Sequence, residues 1–133
     1  MSIGYTTIGA KDSEASGKFY DAVFSAMGGE RKFADGGWIG YGAVGPDKGF
    51  TGCHTMVTGK PNNGQEAHAG NGIMLAYKAP SPDAVKAAYA GGMANGGADE
   101  GKPGFRPADA TSGFYAAYLR DPTGNKICVF TVG

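Results

Sequence analysis

The stretch from Gly113 to Val132 constrains the fold most, because it predicts two strands joined by a tight turn. Aromatic and bulky residues before the turn, and β-branched residues after it, are typical of a pleated surface. In the turn, Pro122 fixes its own φ and Gly124 can adopt a positive φ without a steric penalty. We therefore predict a β-hairpin inside a sheet, with one face packed on a helix and the other lining a cavity. The last strand places Lys126, Cys128 and Phe130 on one face and Ile127, Val129 and Thr131 on the other.

The first half of the chain predicts a strand, a helix and two further strands, in that order. The first strand covers 3–9, and the helix begins near Asp12 or Ser13, either of which can cap free backbone N–H groups. Glycines at 28–29 end the helix, and strands follow at 37–44 and 50–58. Apolar residues recur at helical spacing along the helix and predict its buried stripe. They are Phe19, Tyr20, Val23, Phe24 and Met27.

The second half repeats this order after a polar linker at 60–71. A strand is predicted at 73–77, and Ser81-Pro82-Asp83 is a strong helix start. The segment 99–112 is predicted to be a long loop before the final hairpin. The helix stripe consists of Val85, Ala88, Tyr89 and Met93. Together the two halves predict an α+β domain of two βαββ modules, at about 1–60 and 72–133; the alternative is an α+β domain whose element order repeats by coincidence.

The overall composition argues against several classes of partner. A chain of 133 residues fits one domain with a real core. Twelve Lys and Arg against 12 Asp and Glu give a formal net charge of zero, which argues against nucleic acid or an anionic membrane. The chain has no long apolar run and no signal-peptide pattern, so we expect a cytoplasmic protein. Without secretory context, Cys53 and Cys128 are predicted to be free thiols.

Four segments carry a family resemblance: FYDAVFSAMG, GNGIMLAYKAPSPDAV, GGADEGKPGFRP and GFYAAYLRDPTGN. In this order they resemble the vicinal oxygen chelate superfamily of glyoxalases, bleomycin-resistance proteins and extradiol dioxygenases, and its small bacterial glyoxalase-like branch in particular. The resemblance covers nearly the whole chain. It implies that the two modules curl into a half-open barrel around a central cavity. Together with the exposed edges of such a sheet, it also predicts a homodimer.

The resemblance further implies a metal position in the cavity. In enzymes of the superfamily a divalent metal is held there by His, Gln and Glu side chains. The matching positions in this sequence fall at Tyr5, Met74 and Cys128, with a fourth at an undetermined place between Phe50 and Thr58. A phenol, a thioether and a thiol do not suit a hard divalent ion. We therefore expect no metal cofactor, with a divalent metal as the alternative; Met74 and Cys128 can equally be apolar wall or core residues.

Seven residues are candidates for a ligand site: Tyr5, Trp38, His54, Met74, Arg106, Tyr115 and Cys128. Tyr5 and Tyr115 each offer a polar hydroxyl on an apolar body, and Trp38 can stack on a planar ligand or pack against a helix. Arg106 can meet an anionic group, with an ordinary surface arginine as the equal alternative. His54 is a candidate metal ligand or general base. The alternative is that it is simply partly exposed or hydrogen-bonded, as histidines on strands usually are.

The leading functional prediction is a glyoxalase-like protein of unassigned activity. It binds a small, partly aromatic or apolar molecule in the cavity between its modules, without the usual metal. One alternative is a metal-dependent lyase or dioxygenase of the superfamily with unusual ligands, His54 among them. Another is a structural or interaction protein whose cavity is filled by side chains.

Overall fold

A computed structural model describes all 133 residues and shows an α+β fold of two four-stranded sheets and two helices. No helix is both long and apolar enough to cross a membrane. The first sheet and its helix come from the first half of the chain. Their elements are β1 (Thr6–Gly9), α1 (Ser13–Ser25), β2 (Gly29–Asp35), β3 (Trp38–Ala43) and β4 (Thr55–Thr58), with a short 3₁₀ helix at Phe50–Gly52.

The second sheet repeats this arrangement in the second half. Its elements are β5 (Met74–Lys78), α2 (Pro82–Ala94), β6 (Ala98–Phe105), β7 (Phe114–Arg120) and β8 (Lys126–Val132). The strand orders are β1-β4-β3-β2 and β5-β8-β7-β6, so the first strand of each module lies at an edge beside the last. The predicted hairpin of β7 and β8 is therefore confirmed, and β8 lies inside its sheet.

The two modules match residue by residue where their first and last strands pair in parallel. Thr7 lies opposite Met56 in one sheet, as Ala76 lies opposite Cys128 in the other. Just after these strands, the Ala10 N–H donates to the Thr58 carbonyl at 2.8 Å, and the Ala79 N–H donates to the Phe130 carbonyl at 2.7 Å. This equivalence confirms the predicted pair of βαββ-like modules.

Both helices begin at the predicted caps. The Asp12 carboxylate accepts the N–H groups of Glu14 and Ala15 at 3.0 and 3.2 Å, and the Ser81 hydroxyl accepts the Ala84 N–H at 3.1 Å. These side chains satisfy backbone donors that the first helical turn leaves free. Gly28 ends the first helical region with a φ of 84°, a conformation that glycine adopts without a Cβ clash.

Each module contains one more strand than the sequence predicted. Strand β2 was not predicted, and β6 lies in the segment predicted to be a long loop. Both are edge strands that pair on one side only, and β6 is mostly exposed or half-buried, so neither shows clear apolar alternation. The prediction for Met93 is also wrong, because its side chain is 38% exposed. Gly92 holds the buried position instead, close to Phe19 and Leu119.

Helix α1 packs on the first sheet and against α2, and its side chains help to join the apolar faces of both sheets into one core. The Phe24 ring is 5.1 Å from Tyr41 of the first sheet and 4.9 Å from Tyr77 of the second. Ile127 and Val129 of β8 are fully buried in this core, so their face of the strand is the helix-packed one. Because the helices cover one side of each sheet, the opposite side is left without a helix, and we call it the open face.

The turn of the last hairpin is organised by one carboxylate. Asp121 Oδ1 accepts the backbone N–H groups of Thr123, Gly124 and Asn125, each at 2.9 Å. Gly124 has a φ of 102°, the positive value that the sequence predicted for this position. The turn also reaches the other module, because Asn125 Nδ2 donates to the Gly9 carbonyl at 2.9 Å.

Candidate functional site

The main candidate site is a cleft of about 450 Å³ at the junction of the two modules. Its walls are β1 of the first module, the starts of β5 and β8 of the second, and the end of the linker between them. We call it the junction cleft. Its lining residues are Thr6, Thr7, Ile8, Gly9, His68, Gly70, Ile73, Leu75, Asn125, Lys126 and Ile127.

Hydrogen bonds between the modules fix the walls of the junction cleft. The Lys11 N–H donates to the Thr123 hydroxyl at 2.9 Å, beside the bond from Asn125 to Gly9. The linker packs closely against β1, since a Cβ on Gly9 would lie 2.8 Å from that of Ala67. The cleft therefore has a rigid wall on which ligand groups can be positioned.

The lining of the junction cleft combines alkyl and polar groups. Of its alkyl residues, Ile8 and Ile127 are buried in the core, so Ile73 and Leu75 supply the accessible apolar surface. The polar lining residues are two threonines, an asparagine, a histidine and a lysine. His68, in the linker, is exposed and lines the cleft. Small-molecule sites combine apolar walls with placed polar groups, and this cleft has both, with four hydrophobic residues among its eleven lining residues. None of the seven candidate residues lines this cleft.

Three candidate residues share the open face of the second sheet. Met74 lies opposite Lys126 in the strand register, and Cys128 lies opposite Tyr118. The guanidinium carbon of Arg106 is 5.6 Å from the centre of the Tyr118 ring, and Lys126 Nζ is 5.5 Å from it. The structure thus brings Met74, Arg106 and Cys128 to one face, around a tyrosine and a lysine that the sequence did not single out.

The Cys128 thiol is buried at the centre of this face, with 1% exposure. Burial raises its pKa above the ordinary value, while the Tyr118 hydroxyl and the positive charges of Arg106 and Lys126 act in the opposite direction. The net effect keeps the thiol protonated at neutral pH. Cys53 is likewise buried and its pKa is raised mainly by burial. Both cysteines are free thiols, as predicted.

His54 lies toward the helix side of the first sheet. Its ring centre is 5.3 Å from Phe24 and 5.7 Å from Tyr77, and its Nδ1 is 2.8 Å from the Thr55 hydroxyl. The Thr55 hydroxyl is in turn 3.0 Å from that of Tyr77. Partial burial lowers the pKa of His54, so the imidazole is neutral at pH 7. His54 lines a smaller cleft of about 240 Å³ instead of the junction cleft.

The other three candidates are dispersed. Tyr5 precedes β1, is 46% exposed, and packs edge-on against Phe50 at 4.9 Å. Trp38 lines a shallow groove at the end of the first sheet. Tyr115 is buried in the core, edge-on to Phe105 at 5.0 Å, so it does not line a cavity as the sequence predicted. Its face of β7 is the face that the helices cover.

Comparison with solved structures identifies relatives across the whole length of the chain. It is 38% identical to a glyoxalase/bleomycin resistance protein from Albidiferax ferrireducens T118, with a TM-score of 0.81 and 98% of both chains covered. The chain belongs to the glyoxalase/bleomycin resistance protein family. No family model and no curated protein matches it.

More distant members show the same fold. A glyoxalase-related enzyme from Fulvimarina pelagi is 20% identical, with a TM-score of 0.69 over 96% of this chain and 86% of that one. A glyoxalase/bleomycin resistance protein/dioxygenase family enzyme from Burkholderia phytofirmans PsJN is 15% identical, with a TM-score of 0.67 over the whole of both chains.

The equivalence of the two modules locates the fourth metal position implied by the family. Because Met56 pairs with Thr7 as Cys128 pairs with Ala76, Met56 is the counterpart of Cys128. The four positions that the resemblance implies are thus Tyr5, Met56, Met74 and Cys128. They offer no imidazole and no carboxylate, and no group of three or more His, Cys, Asp or Glu side chains elsewhere could hold an ion. The donor set does not fit the divalent metal of the family.

Proposed function

We propose that this glyoxalase/bleomycin resistance protein binds a small, partly apolar molecule in the junction cleft without a divalent metal. The observation that carries the proposal is the cleft itself, whose volume of about 450 Å³ falls within the usual size range of ligand sites. Its lining mixes alkyl side chains with a few polar groups. The apolar body of a ligand can pack against the alkyl side chains, and the polar groups can orient it.

The chemistry of the metal positions supports binding over metal-dependent catalysis. A lyase or dioxygenase of the superfamily needs a Lewis acid, and two thioethers, a phenol and a protonated thiol bind hard divalent ions weakly. His54 offers one imidazole, but Nδ1 contacts the Thr55 hydroxyl and the ring packs on Phe24 and Tyr77. The open cleft also favours a binder over an interaction protein with a filled cavity.

A cytoplasmic homodimer completes the proposal. Strands β1 and β5 are edges of their sheets, and apolar side chains near their starts are exposed. Tyr5 and Phe50 are 46% and 52% exposed, and Ile73 and Met74 are 64% and 42% exposed. A second copy of the chain would bury these side chains, since exposed apolar patches and unpaired edges favour association.

The binding proposal is tested with a panel of planar aromatic molecules and the melting temperature of the protein. We expect some members to raise the melting temperature, because a ligand that binds only the folded state stabilises it. Thr7→Phe, which fills the mouth of the junction cleft, should abolish that rise. Thr111→Phe, at an exposed loop residue outside the cleft, is the matched control and should keep it. An unchanged response in Thr7→Phe would move the ligand out of the cleft.

A further inference from the structure

The guanidinium of Arg106 is held in a cradle of backbone carbonyls on the open face of the second sheet. Nη1 donates to the carbonyls of Gly104 and Phe105 at 2.9 and 3.2 Å, and Nη2 donates to that of Lys102 at 2.8 Å. A guanidinium has five N–H groups, so two remain, and the Nε–H is one of them. The group is fixed in position with donors still available.

Glycines in β6 make room for this cradle. A Cβ on Gly104 would lie 3.2 Å from Nη1 of Arg106, and a Cβ on Gly101 would lie 3.3 Å from Nη2 and 2.8 Å from the Tyr118 ring. Larger residues at either position would crowd the guanidinium. The glycines between Gly101 and Arg106 therefore leave the space that the guanidinium occupies. This distinguishes Arg106 from an ordinary surface arginine.

Arg106 and Lys126 also differ from every other cation of the chain. Five Lys or Arg side chains form ion pairs: Arg31, Lys32, Lys48, Lys102 and Arg120. Five others without a carboxylate partner are exposed: Lys11, Lys18, Lys60, Lys78 and Lys86. Only Arg106 and Lys126 are half-buried and have no carboxylate within ion-pair distance. Positive charges that are partly removed from water attract an anion more strongly than exposed ones.

We propose that Arg106 and Lys126, with Tyr118 between them, bind an oxyanion group of the ligand, a carboxylate or a phosphate. This inference rests on the proposed function. Lys126 lines the junction cleft and also lies on the open face of the second sheet, so it connects the cleft with the oxyanion site. The apolar body of the ligand lies in the cleft and its charged end on the open face. The free donors of Arg106 meet the oxyanion, since charge-assisted hydrogen bonds of this kind are strong.

The test compares three probes that share a phenyl ring. Benzoate and phenyl phosphate carry an oxyanion, and benzamide is the neutral counterpart. Each is titrated into ¹⁵N-labelled protein at low salt, and affinities are read from amide shifts. We expect an oxyanion to bind about tenfold more tightly than benzamide, the gain of one charge-assisted hydrogen bond. The anion that binds more tightly identifies the oxyanion class. Added salt should lower the affinity of the two anions but not that of benzamide.

Variants separate the anion site from the cleft. Lys126→Gln and Arg106→Gln should each lower the affinity of the anion by a much larger factor than that of benzamide. Arg120→Gln is the control, since Arg120 lies on the same sheet but is paired with Glu100 at 2.8 Å. Lys126→Gln removes a side chain with no protein hydrogen-bond partner, so it keeps the test valid if Arg106→Gln does not fold.

The outcomes distinguish this inference from the proposed function. Equal affinities for benzoate, phenyl phosphate and benzamide, all lost in Thr7→Phe, would overturn the oxyanion site and leave the cleft as the binding site. Preferential anion binding that survives both Arg106→Gln and Lys126→Gln would also overturn it. No saturable binding of any of the three probes would contradict both proposals.

Discussion

The hydroxyl of Tyr20 donates a hydrogen bond of 2.8 Å to Oδ2 of Asp121, and this bond joins the two modules inside the core. Tyr20 lies on α1, is fully buried, and reaches the turn of the last hairpin, where Asp121 is 3% exposed. No cation pairs with this carboxylate. Its charge is instead stabilised by Tyr20, by three backbone N–H groups and by Asn125 Nδ2 at 3.0 Å.

Replacing Tyr20 by Phe should therefore destabilise the protein. The change leaves the ring in place but removes one donor from a buried carboxylate, which typically costs about 1–3 kcal/mol. Urea denaturation measures the loss of unfolding free energy. The matched control is Tyr89→Phe, which removes a similar bond to Asp99 of 3.0 Å at the surface and should change stability much less. Equal losses of unfolding free energy in the two variants would show that burial does not strengthen the contribution of the Tyr20 bond.

The pairing of Glu30 predicts how stability changes in acid. Hydrogen bonds from Lys48, the Gly45 N–H and Lys32 lower the pKa of Glu30 from 4.5 to about 2. A carboxylate whose pKa falls on folding stabilises the folded state at any pH above its pKa in the unfolded chain. That stabilisation is lost as the pH falls to its pKa in the folded protein. Stability should therefore decline between pH 4.5 and about 2. Glu30→Gln should show a shallower decline over this range, measured by urea denaturation at several pH values; an identical slope would contradict the assignment.

Burial of both thiols predicts slow labelling. Because burial raises the pKa of Cys53 and of Cys128, neither is a thiolate at neutral pH, and neither is accessible. A thiol-reactive chromogenic disulfide should therefore react slowly with the native protein and rapidly in urea. Fast labelling of one thiol in the native protein would show that its region opens readily. Cys53→Ala and Cys128→Ala would then identify which region it is.

The proposed dimer predicts a mass in solution of twice the 13.5 kDa chain. Ile73→Lys places a charge among the exposed apolar side chains near β5 and should shift light scattering toward the monomer. Val44→Lys is the control, because Val44 is 66% exposed but lies at the end of the first sheet's β3. A monomer in the wild-type protein at high concentration would contradict the proposal.

The sequence predicted those parts of the fold that local signals determine. The caps and the turn at Gly124 depend on a few neighbouring residues: Ser81 and the turn were predicted correctly, and the first cap is Asp12, one of the two residues predicted for it. Strands β2 and β6 were not, because edge strands with one paired side need no alternating apolar pattern. Strands β2 and β6 form because each pairs with the neighbouring strand of its sheet, β3 and β7 respectively.

The candidate site was less predictable, for two physical reasons. Tyr115 was placed in the cavity although it shares its face of β7 with Leu119, and that apolar neighbour indicates the helix-packed side. Tyr118 lies on the other face of β7, beside Cys128. The junction cleft is formed by the contact between two modules, so no stretch of sequence could show which backbone segments line it.

The most direct test of metal-independent binding is a titration of EDTA-dialysed, ¹⁵N-labelled protein with the phenyl probe that binds most tightly. We expect saturable shifts at the amides of 6–9 and 125–127, around the junction cleft, with no divalent metal present. Adding back nickel, zinc, iron or manganese should leave the affinity unchanged. Binding that appears only after a metal is restored would contradict this expectation, and would assign this protein to the metal-dependent enzymes of its family.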